Sequence, residues 1–384
     1  MADDWRNGGF GLYVHWPFCE AKCPYCDFNS HVSNKIDQKQ WLGCYLIELK
    51  RSAAETPDRV LNTIFFGGGT PSLMDPETVS AVIDEARALW HPSNDMEITL
   101  EANPGSVEAG RFAAYRDAGV NRISMGVQAL NDEDLRRLGR IHSVAEARAA
   151  FDIARTCFDR VSFDLIYARQ HQTPEAWRAE LSEALSMAVD HLSLYQLTIE
   201  DGTAFGDRYA VGKLRGLPED DSAADMYLIT QEICEAHGLP AYEVSNHART
   251  GAQSQHNLIY WRYGDYVGIG PGAHGRLTLN EQKYATETYL NPQRWLDATT
   301  RSSGEKGRTA LTLEDQANEY LMMGMRISEG LDTDRWERLA GRKLSEDTID
   351  HLIGIKMIEH ENGRLRATAD GRAVLNAVIR ELLS

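Results

Sequence analysis

Six short β-rich runs recur along the first half of the chain, with stretches of helical periodicity between them. This alternation limits the fold more than any other feature. The runs fall at 12–16, 63–66, 97–100, 122–125, 161–165 and 192–197, and the helical patterns at 35–53, 76–90, 107–118, 131–155 and 174–188. Such a rhythm makes parallel strands joined by crossover helices. Some runs are nearly continuous in apolar residues, as expected of strands covered on both faces. Either an open doubly wound sheet or a partial barrel would satisfy the pattern. Polar residues at the strand ends favour the barrel: Glu101 after the third run, Gln128 after the fourth, Asp164 in the fifth and Gln196 in the sixth. A barrel gathers all strand ends around one mouth, whereas a flat sheet concentrates ligands at one switch point. The second run leads into Gly67-Gly68-Gly69-Thr70-Pro71. This lacks the spacing of a dinucleotide fingerprint or a P-loop, but its backbone groups suit the amino-acid end of a chelating molecule.

The loop after the first run reads Cys19-Glu20-Ala21-Lys22-Cys23-Pro24-Tyr25-Cys26. Three thiolates from one loop can hold three irons of a 4Fe–4S cube and leave the fourth iron open to a chelator such as S-adenosylmethionine. Zinc is the alternative, with His31 completing a Cys3His set. The flanking Trp16, Phe18, Tyr25 and Phe28 favour a cluster shielded from water and oxygen. Cys44, Cys157 and Cys234 lie singly on helical patterns and read as small buried hydrophobes.

At 384 residues, the chain fits one large unit and one small one. Its net charge of −17 argues against a nucleic-acid partner, which requires a basic face. The polar start lacks the apolar stretch of a signal peptide, and no run is long and apolar enough to span a bilayer. Together with reduced thiols, these features predict a cytoplasmic protein.

The motifs in order resemble the radical S-adenosylmethionine superfamily, and within it oxygen-independent coproporphyrinogen III oxidase and the related heme chaperones. The resemblance runs through Leu12-Tyr13-Val14-His15-Trp16-Pro17-Phe18-Cys19, Phe65-Phe66-Gly67-Gly68-Gly69-Thr70-Pro71-Ser72, Glu101-Ala102-Asn103-Pro104-Gly105 and Arg122-Ile123-Ser124-Met125-Gly126-Val127-Gln128. It continues in Leu138-Gly139-Arg140-Ile141-His142, Asp164-Leu165-Ile166-Tyr167 and Tyr195-Gln196-Leu197. It implies an α/β fold: a partial (β/α)6 radical-SAM barrel with a small C-terminal α-rich, winged-helix-like domain. Cys19, Cys23 and Cys26 would ligate the cluster. Tyr13, Gly68, Gly69, Thr70, Glu101, Gln128, Arg140, Asp164 and Gln196 would surround S-adenosylmethionine. His256-Asn257-Leu258-Ile259-Tyr260-Trp261 resembles the chaperones' heme motif, with His256 as axial ligand, Tyr260 and Trp261 packing on the macrocycle, and His274 a lesser candidate. Phe28 stands where the oxidases carry a fourth cysteine, which points to the chaperones. The implied cofactors are the cluster, S-adenosylmethionine and heme. The implied partners are heme-acceptor proteins, membrane-bound respiratory enzymes among them, and a second copy of the chain. The implied location is the cytoplasm or the inner face of its membrane. Coproporphyrinogen III dehydrogenation is the alternative activity. Ala168-Arg169-Gln170-His171-Gln172 departs from the family's Gly-Leu-Pro-Gly-Gln-like stretch.

Residues 200–216 read as a loop, 220–237 as a helix and 301–307 as a linker. The barrel with its extension is therefore assigned to 1–300 (core about 10–200) and the C-terminal unit to 309–384. Helical patterns at 313–327, 332–340, 345–354 and 369–383 flank a hairpin signal at Glu361-Asn362-Gly363. From Thr309 onward acidic residues outnumber basic ones, 14 to 10, so the winged-helix pattern does not imply DNA binding. It would cap the barrel or dock a partner.

Overall fold

The computed structural model describes residues 3–33, 35–105 and 109–384. The helix expected over 107–118 begins outside the described residues, and its described part is Phe112–Asp117. In chain order the strands are β1 (Phe10–Trp16), β2 (Phe18–Cys19), β3 (His31–Val32), β4 (Val60–Gly68), β5 (His91–Ala102), β6 (Arg122–Gln128), β7 (Arg160–Tyr167), β8 (His191–Gln196), β9 (Asn246–Ala248), β10 (Asp265–Ile269), β11 (His274–Leu279), β12 (Gln282–Thr288), β13 (Glu305–Ala310), β14 (Leu331–Asp332), β15 (Ile358–Glu361) and β16 (Arg364–Ala367).

Eleven of them form one sheet in the order β13-β12-β11-β10-β1-β4-β5-β6-β7-β8-β9. β1, β4, β5, β6, β7 and β8 pair in parallel, the six units expected. β10 adds in parallel to β1 and β9 antiparallel to β8, so the barrel is partial. The two faces of this sheet differ. Leu12, Val14, Ile64, Phe66, Ile98, Leu100, Ile123, Met125, Val161, Phe163 and Leu192 are fully or almost fully buried in the main apolar core. The alternate positions are Tyr13, Thr63, Thr99, Glu101, Arg122, Ser124, Ser162, Asp164 and Ser193, and they share the opposite, polar face. Register steps across it as Thr99↔Arg122, Glu101↔Ser124, Ser124↔Ser162 and Asp164↔Ser193. With a side-chain period of two, one face serves packing and the other serves chemistry.

Several boundaries differ from the sequence expectations. The pattern at 131–155 resolves into helices Asp132–Arg137 and Val144–Cys157, separated by a turn in which Gly139 takes a left-handed φ of 69°. Residues 200–216 contain the helix Ala204–Ala210, capped by Thr203. The 301–307 segment is not a linker. Arg301 ends the helix Pro292–Arg301, and Glu305 begins β13, which pairs with β12. The pattern at 369–383 is broken into Ala369–Ala373 and Leu375–Leu383.

The C-terminal unit has its own core, including Tyr320, Leu321, Trp336, Leu339, Leu365 and Val378. Its small sheet has the order β14-β16-β15, and helices surround it in winged-helix sequence. Asn362 and Gly363, at φ 52° and 71°, make the expected hairpin turn. Arg335 fastens this unit to the barrel. Its guanidinium is buried, donates to Asp4 at 2.8 and 2.9 Å, and reaches the Arg262 carbonyl at 2.8 Å. It also lies 4.2 Å from the Tyr320 ring centroid. Arg335→Met strands the partly buried Asp4 carboxylate. It is expected to cost about 3 kcal/mol, read as a lower urea midpoint with the helical content of the native state unchanged.

Candidate cofactor and cluster site

The mouth of the barrel is built from strand ends. β1 ends at Trp16 and passes into the cysteine loop. That loop is tied back by the His31 N–H donating to the Pro17 carbonyl at 2.7 Å. Cys19, Cys23 and Cys26 are unpaired and partly exposed. Burial raises the Cys19 thiol, with hydrogen bonds from Thr70 and Ser30 opposing the effect; burial likewise raises Cys26. Metal ligation would replace those protons. Among the described residues no three His, Cys, Asp or Glu side chains converge where a single ion would be gripped. A cubane takes one thiolate per iron and keeps the sulfurs apart. His31, the zinc alternative's fourth ligand, instead places Nε2 3.2 Å from Asn29 Oδ1.

The glycine turn forms the next wall. Gly69 donates to the Trp16 carbonyl at 2.7 Å and Thr70 to that of Phe18 at 2.8 Å. Gly68 takes φ 111°, and a Cβ there would strike the His15 ring; a Cβ on Gly69 would strike the Phe18 backbone. Only glycine permits this approach. The Gly68 N–H donates to Glu101 Oε2 at 3.1 Å. His15 Nε2 lies 3.0 Å from the Asn29 carbonyl, so it is the protonated nitrogen, and Nδ1 accepts from the Tyr13 hydroxyl at 2.9 Å.

Opposite stand the carboxylates. Burial pushes Glu101 up to about 8, with the charge of Asp164 adding to it and the Gly68 N–H and Arg122 opposing. Burial raises Asp164 to about 6, held down by Ser193 and Arg122. Arg140 Nη2 donates to Asn103 Oδ1 at 2.6 Å and to the Gly126 carbonyl at 2.9 Å, and Nη1 lies 3.5 Å from Cys23 Sγ. One cationic side chain thus spans the cluster loop and the strand ends. Gln128 ends β6 with φ 74°. Three buried polar atoms here have no partner: Gln128 Oε1, Arg140 Nε and Asp164 Oδ1. Open acceptors, a donor and a glycine cradle beside three thiols fit an amino-acid-bearing nucleoside chelating an iron of a cluster.

The structure therefore brings Tyr13, Gly68, Gly69, Thr70, Glu101, Gln128, Arg140 and Asp164 around the cysteine loop. Gln196 sits apart on the exposed rim, 3.5 Å from the Tyr167 hydroxyl. The sequence reading passed over Asn103, which bridges Arg140 and Thr70 Oγ1 (3.2 Å), and Arg122, the buried cation beneath the carboxylates. Both lie within the quoted motifs.

His256, expected as a heme ligand, is held by two hydroxyls in this structure. It lies on the helix Gln255–Trp261 and is buried. Nδ1 is 2.6 Å from the Thr63 hydroxyl and Nε2 is 2.7 Å from that of Tyr260. The ring also stacks on Phe65, with centroids 5.0 Å apart. Neither nitrogen is free for iron, and the Tyr260 hydroxyl is committed to the same pair.

The divergent stretch after Tyr167 forms a clamp. Ala168 and His171 take left-handed φ values of 57° and 62°. Arg169 is buried and donates to Asp134 at 3.0 Å and Glu180 at 2.5 Å; the other Glu180 oxygen accepts the Leu130 N–H at 2.7 Å. Both flanks of the segment carrying Gln128 and Arg140 are fixed in this way.

The Radical SAM superfamily model matches residues 13–183 and the HemN C-terminal domain model matches 311–374. The heme chaperone HemW of Escherichia coli K12 is 38% identical over 97% of this chain and 98% of its own length. Radical S-adenosyl methionine domain-containing protein 1, mitochondrial, of Mus musculus is 37% identical over 97% of this chain and 87% of its own. The solved coproporphyrinogen III oxidase (HemN) of E. coli superposes with a TM-score of 0.82 at 21% identity, covering 99% of this chain and 92% of that one. Among the described residues no helix is long and apolar enough to cross a membrane.

Burial favours the protonated form of Glu101 up to about pH 8, and the ionised carboxylate is the better acceptor for the N–H groups of an iron-bound amine. S-adenosylmethionine affinity should therefore rise with pH up to about 8 and level off above, with proton release. Calorimetry in buffers of different ionisation enthalpy measures this, and Glu101→Gln should flatten the profile.

Proposed function

The chain belongs to the HemW family of radical S-adenosylmethionine proteins, and from that premise we propose that it is a heme chaperone, taking up heme and handing it to heme-requiring proteins. The full-length identity to heme chaperones of two bacterial phyla carries this reading. The open-cornered cysteine loop agrees with it, because Phe28 is exposed where a fourth thiolate would change the cluster's surroundings. The cofactors are a 4Fe–4S cluster on Cys19, Cys23 and Cys26, S-adenosylmethionine and heme. When bound, the cluster and S-adenosylmethionine would supply one-electron chemistry. The chain's own residues do the rest. Arg140 would offer its charge to a carboxylate, and Glu101 an acceptor to the N–H groups of an iron-bound amine. Asp164 offers an acceptor to hydroxyls, and Tyr13, His15 and Phe65 close the floor against water. The acceptors we propose include membrane-bound respiratory enzymes met from the cytoplasmic side, with a homodimer as the transferring form.

The second reading is oxidative decarboxylation of a porphyrinogen propionate, and the fold shared with coproporphyrinogen III oxidase does not by itself favour it. Anaerobic incubation with coproporphyrinogen III, S-adenosylmethionine and reductant is expected to yield no protoporphyrinogen IX, while heme-loaded protein should activate an apo-acceptor. Turnover of the porphyrinogen would reverse the choice.

Cys23→Ser should lose the cluster, measured as iron and acid-labile sulfide, and keep the barrel. Cys23 lies outside the apolar core, so thermal unfolding should stay near that of the metal-free parent. Global unfolding of the variant would mean a structural metal instead.

A further inference from the structure

Heme needs a free imidazole, a flat apolar seat and cations for its propionates. The imidazoles at the mouth are mostly committed. His15 is engaged at both nitrogens, His31 at Nε2, and His142 lies buried with Nε2 3.1 Å from the Val127 carbonyl. His274 is exposed, and among the described residues its ring has no hydrogen-bond partner.

The fold places His274 at the mouth. β10 runs parallel to β1, so its C-terminal end lies beside the cysteine loop, and β11 starts there with His274. The intervening turn is tied to that loop: the Asn29 amide donates to the carbonyls of Pro271 and Leu290, both at 2.8 Å. Arg276 pairs in register with Tyr266, whose ring meets Tyr260 edge-on in the barrel interior, 4.6 Å between centroids. His274, two residues earlier on β11, shares that face at the open end. Burial lowers the His15 imidazole, and the nearby His31 and His274 rings add to the effect.

An apolar surface adjoins it. Phe28 is 58% exposed, Val32 56% and Leu290 59%, unusual for large side chains beside a buried site. Val32 stands across from Cys19 in the β2–β3 pair, and Leu290 is held to Asn29. Cations lie close in a chain of net charge −17. Lys22 is near enough to disfavour protonation of His31, after burial, and the Arg294 guanidinium lies 4.5 Å from the Tyr289 ring centroid. Glu287, opposite His274 in register, is neutralised by Lys306 at 2.9 Å.

We propose that His274 is the axial ligand of heme, with the macrocycle seated on Phe28, Val32 and Leu290 at the cluster mouth and its propionates facing Lys22 and Arg294. This deepens the chaperone reading and rests on it. The seat puts heme beside the cysteine loop and leaves His256 as an internal brace.

The test is anaerobic hemin titration of full-length protein carrying its cluster. His274→Gly should weaken hemin binding about tenfold or more and lose the imidazole-ligated Soret band, and added free imidazole should restore the band. His256→Gln, which can still bond Thr63 and Tyr260, should titrate like the parent. Phe28→Ser should weaken binding without changing the ligand signature. A parental titration of His274→Gly would overturn the proposal, as would loss of the imidazole band in a folded, cluster-replete His256→Gln. Should His256→Gln fail to fold, the His274→Gly and Phe28→Ser titrations decide alone. If the parent itself takes up no hemin, the chaperone reading falls, an outcome distinct from hemin bound without His274.

Discussion

Two carboxylates buried together govern this molecule. Glu101 on β5 and Asp164 on β7 lie on the inner face of the sheet with β6 between them, and the charge of Asp164 adds to the burial that disfavours ionised Glu101. Taking such charges from water is expensive unless they are paired. The Gly68 N–H and Arg122 offset burial of Glu101 only in part, which leaves it pushed up to about 8, and Ser193, Arg122 and Ser124 do the same for Asp164. Stability follows with a definite sign. An unfolded glutamate loses its proton near 4.5, so between that value and about 8 the folded form binds the extra proton, and rising pH weakens the fold. A bound cation removes this cost. The site is thus a place where folding stability is given up and ligand binding recovers it.

The surrounding structure holds that arrangement in place. The sheet buries its apolar face under helices, so its inner face is free to be polar without loss of core. The Arg169–Glu180–Leu130 chain fixes the turn after Gln128, whose own left-handed backbone is a strained one for a residue with a side chain. Arg169 stands where the resembling family carries an apolar residue. Its guanidinium arrives with two carboxylates as partners, its backbone N–H donates to Gln172 Oε1 at 3.2 Å, and Gln172 Nε2 donates to Glu180 at 3.0 Å. A buried arginine with that set of acceptors is a rigid tie, not a stray charge.

Much of this was legible in the sequence, for physical reasons. Parallel strands write themselves as apolar runs ending in ligand-bearing residues, and a cysteine loop after the first strand marks which end is the mouth. The β12–β13 edge was not legible. Residues 305–310 are Glu-Lys-Gly-Arg-Thr-Ala, polar as an exposed edge strand is, and a neighbouring Ser-Ser-Gly gives the composition of a linker. What holds this strand is non-local: Arg308 bonds Glu55, 253 residues away in sequence. The hydrogen-bonded setting of His256 was hidden for the same reason. Its partner Thr63 is 193 residues distant, and no local pattern announces that a histidine is already satisfied.

The helix Gln255–Trp261 then takes a different meaning. His256 reaches Thr63 on β4, the His256 N–H and the Ser254 hydroxyl reach Glu97 on β5, and Asn257 lies 3.5 Å from the Tyr242 hydroxyl. Arg262, just beyond it, meets Glu329 of the C-terminal unit at 3.0 Å and gives its carbonyl to Arg335. Ser328 donates to the Tyr242 carbonyl, and Arg372 to that of Glu243. The helix is therefore the joint between the barrel floor and the C-terminal unit. Its histidine, stacked on Phe65 one pairing away from Tyr13, couples that joint to the underside of the cofactor site. A motif whose residues look like a ligand set serves here as the hinge plate on which both domains are mounted.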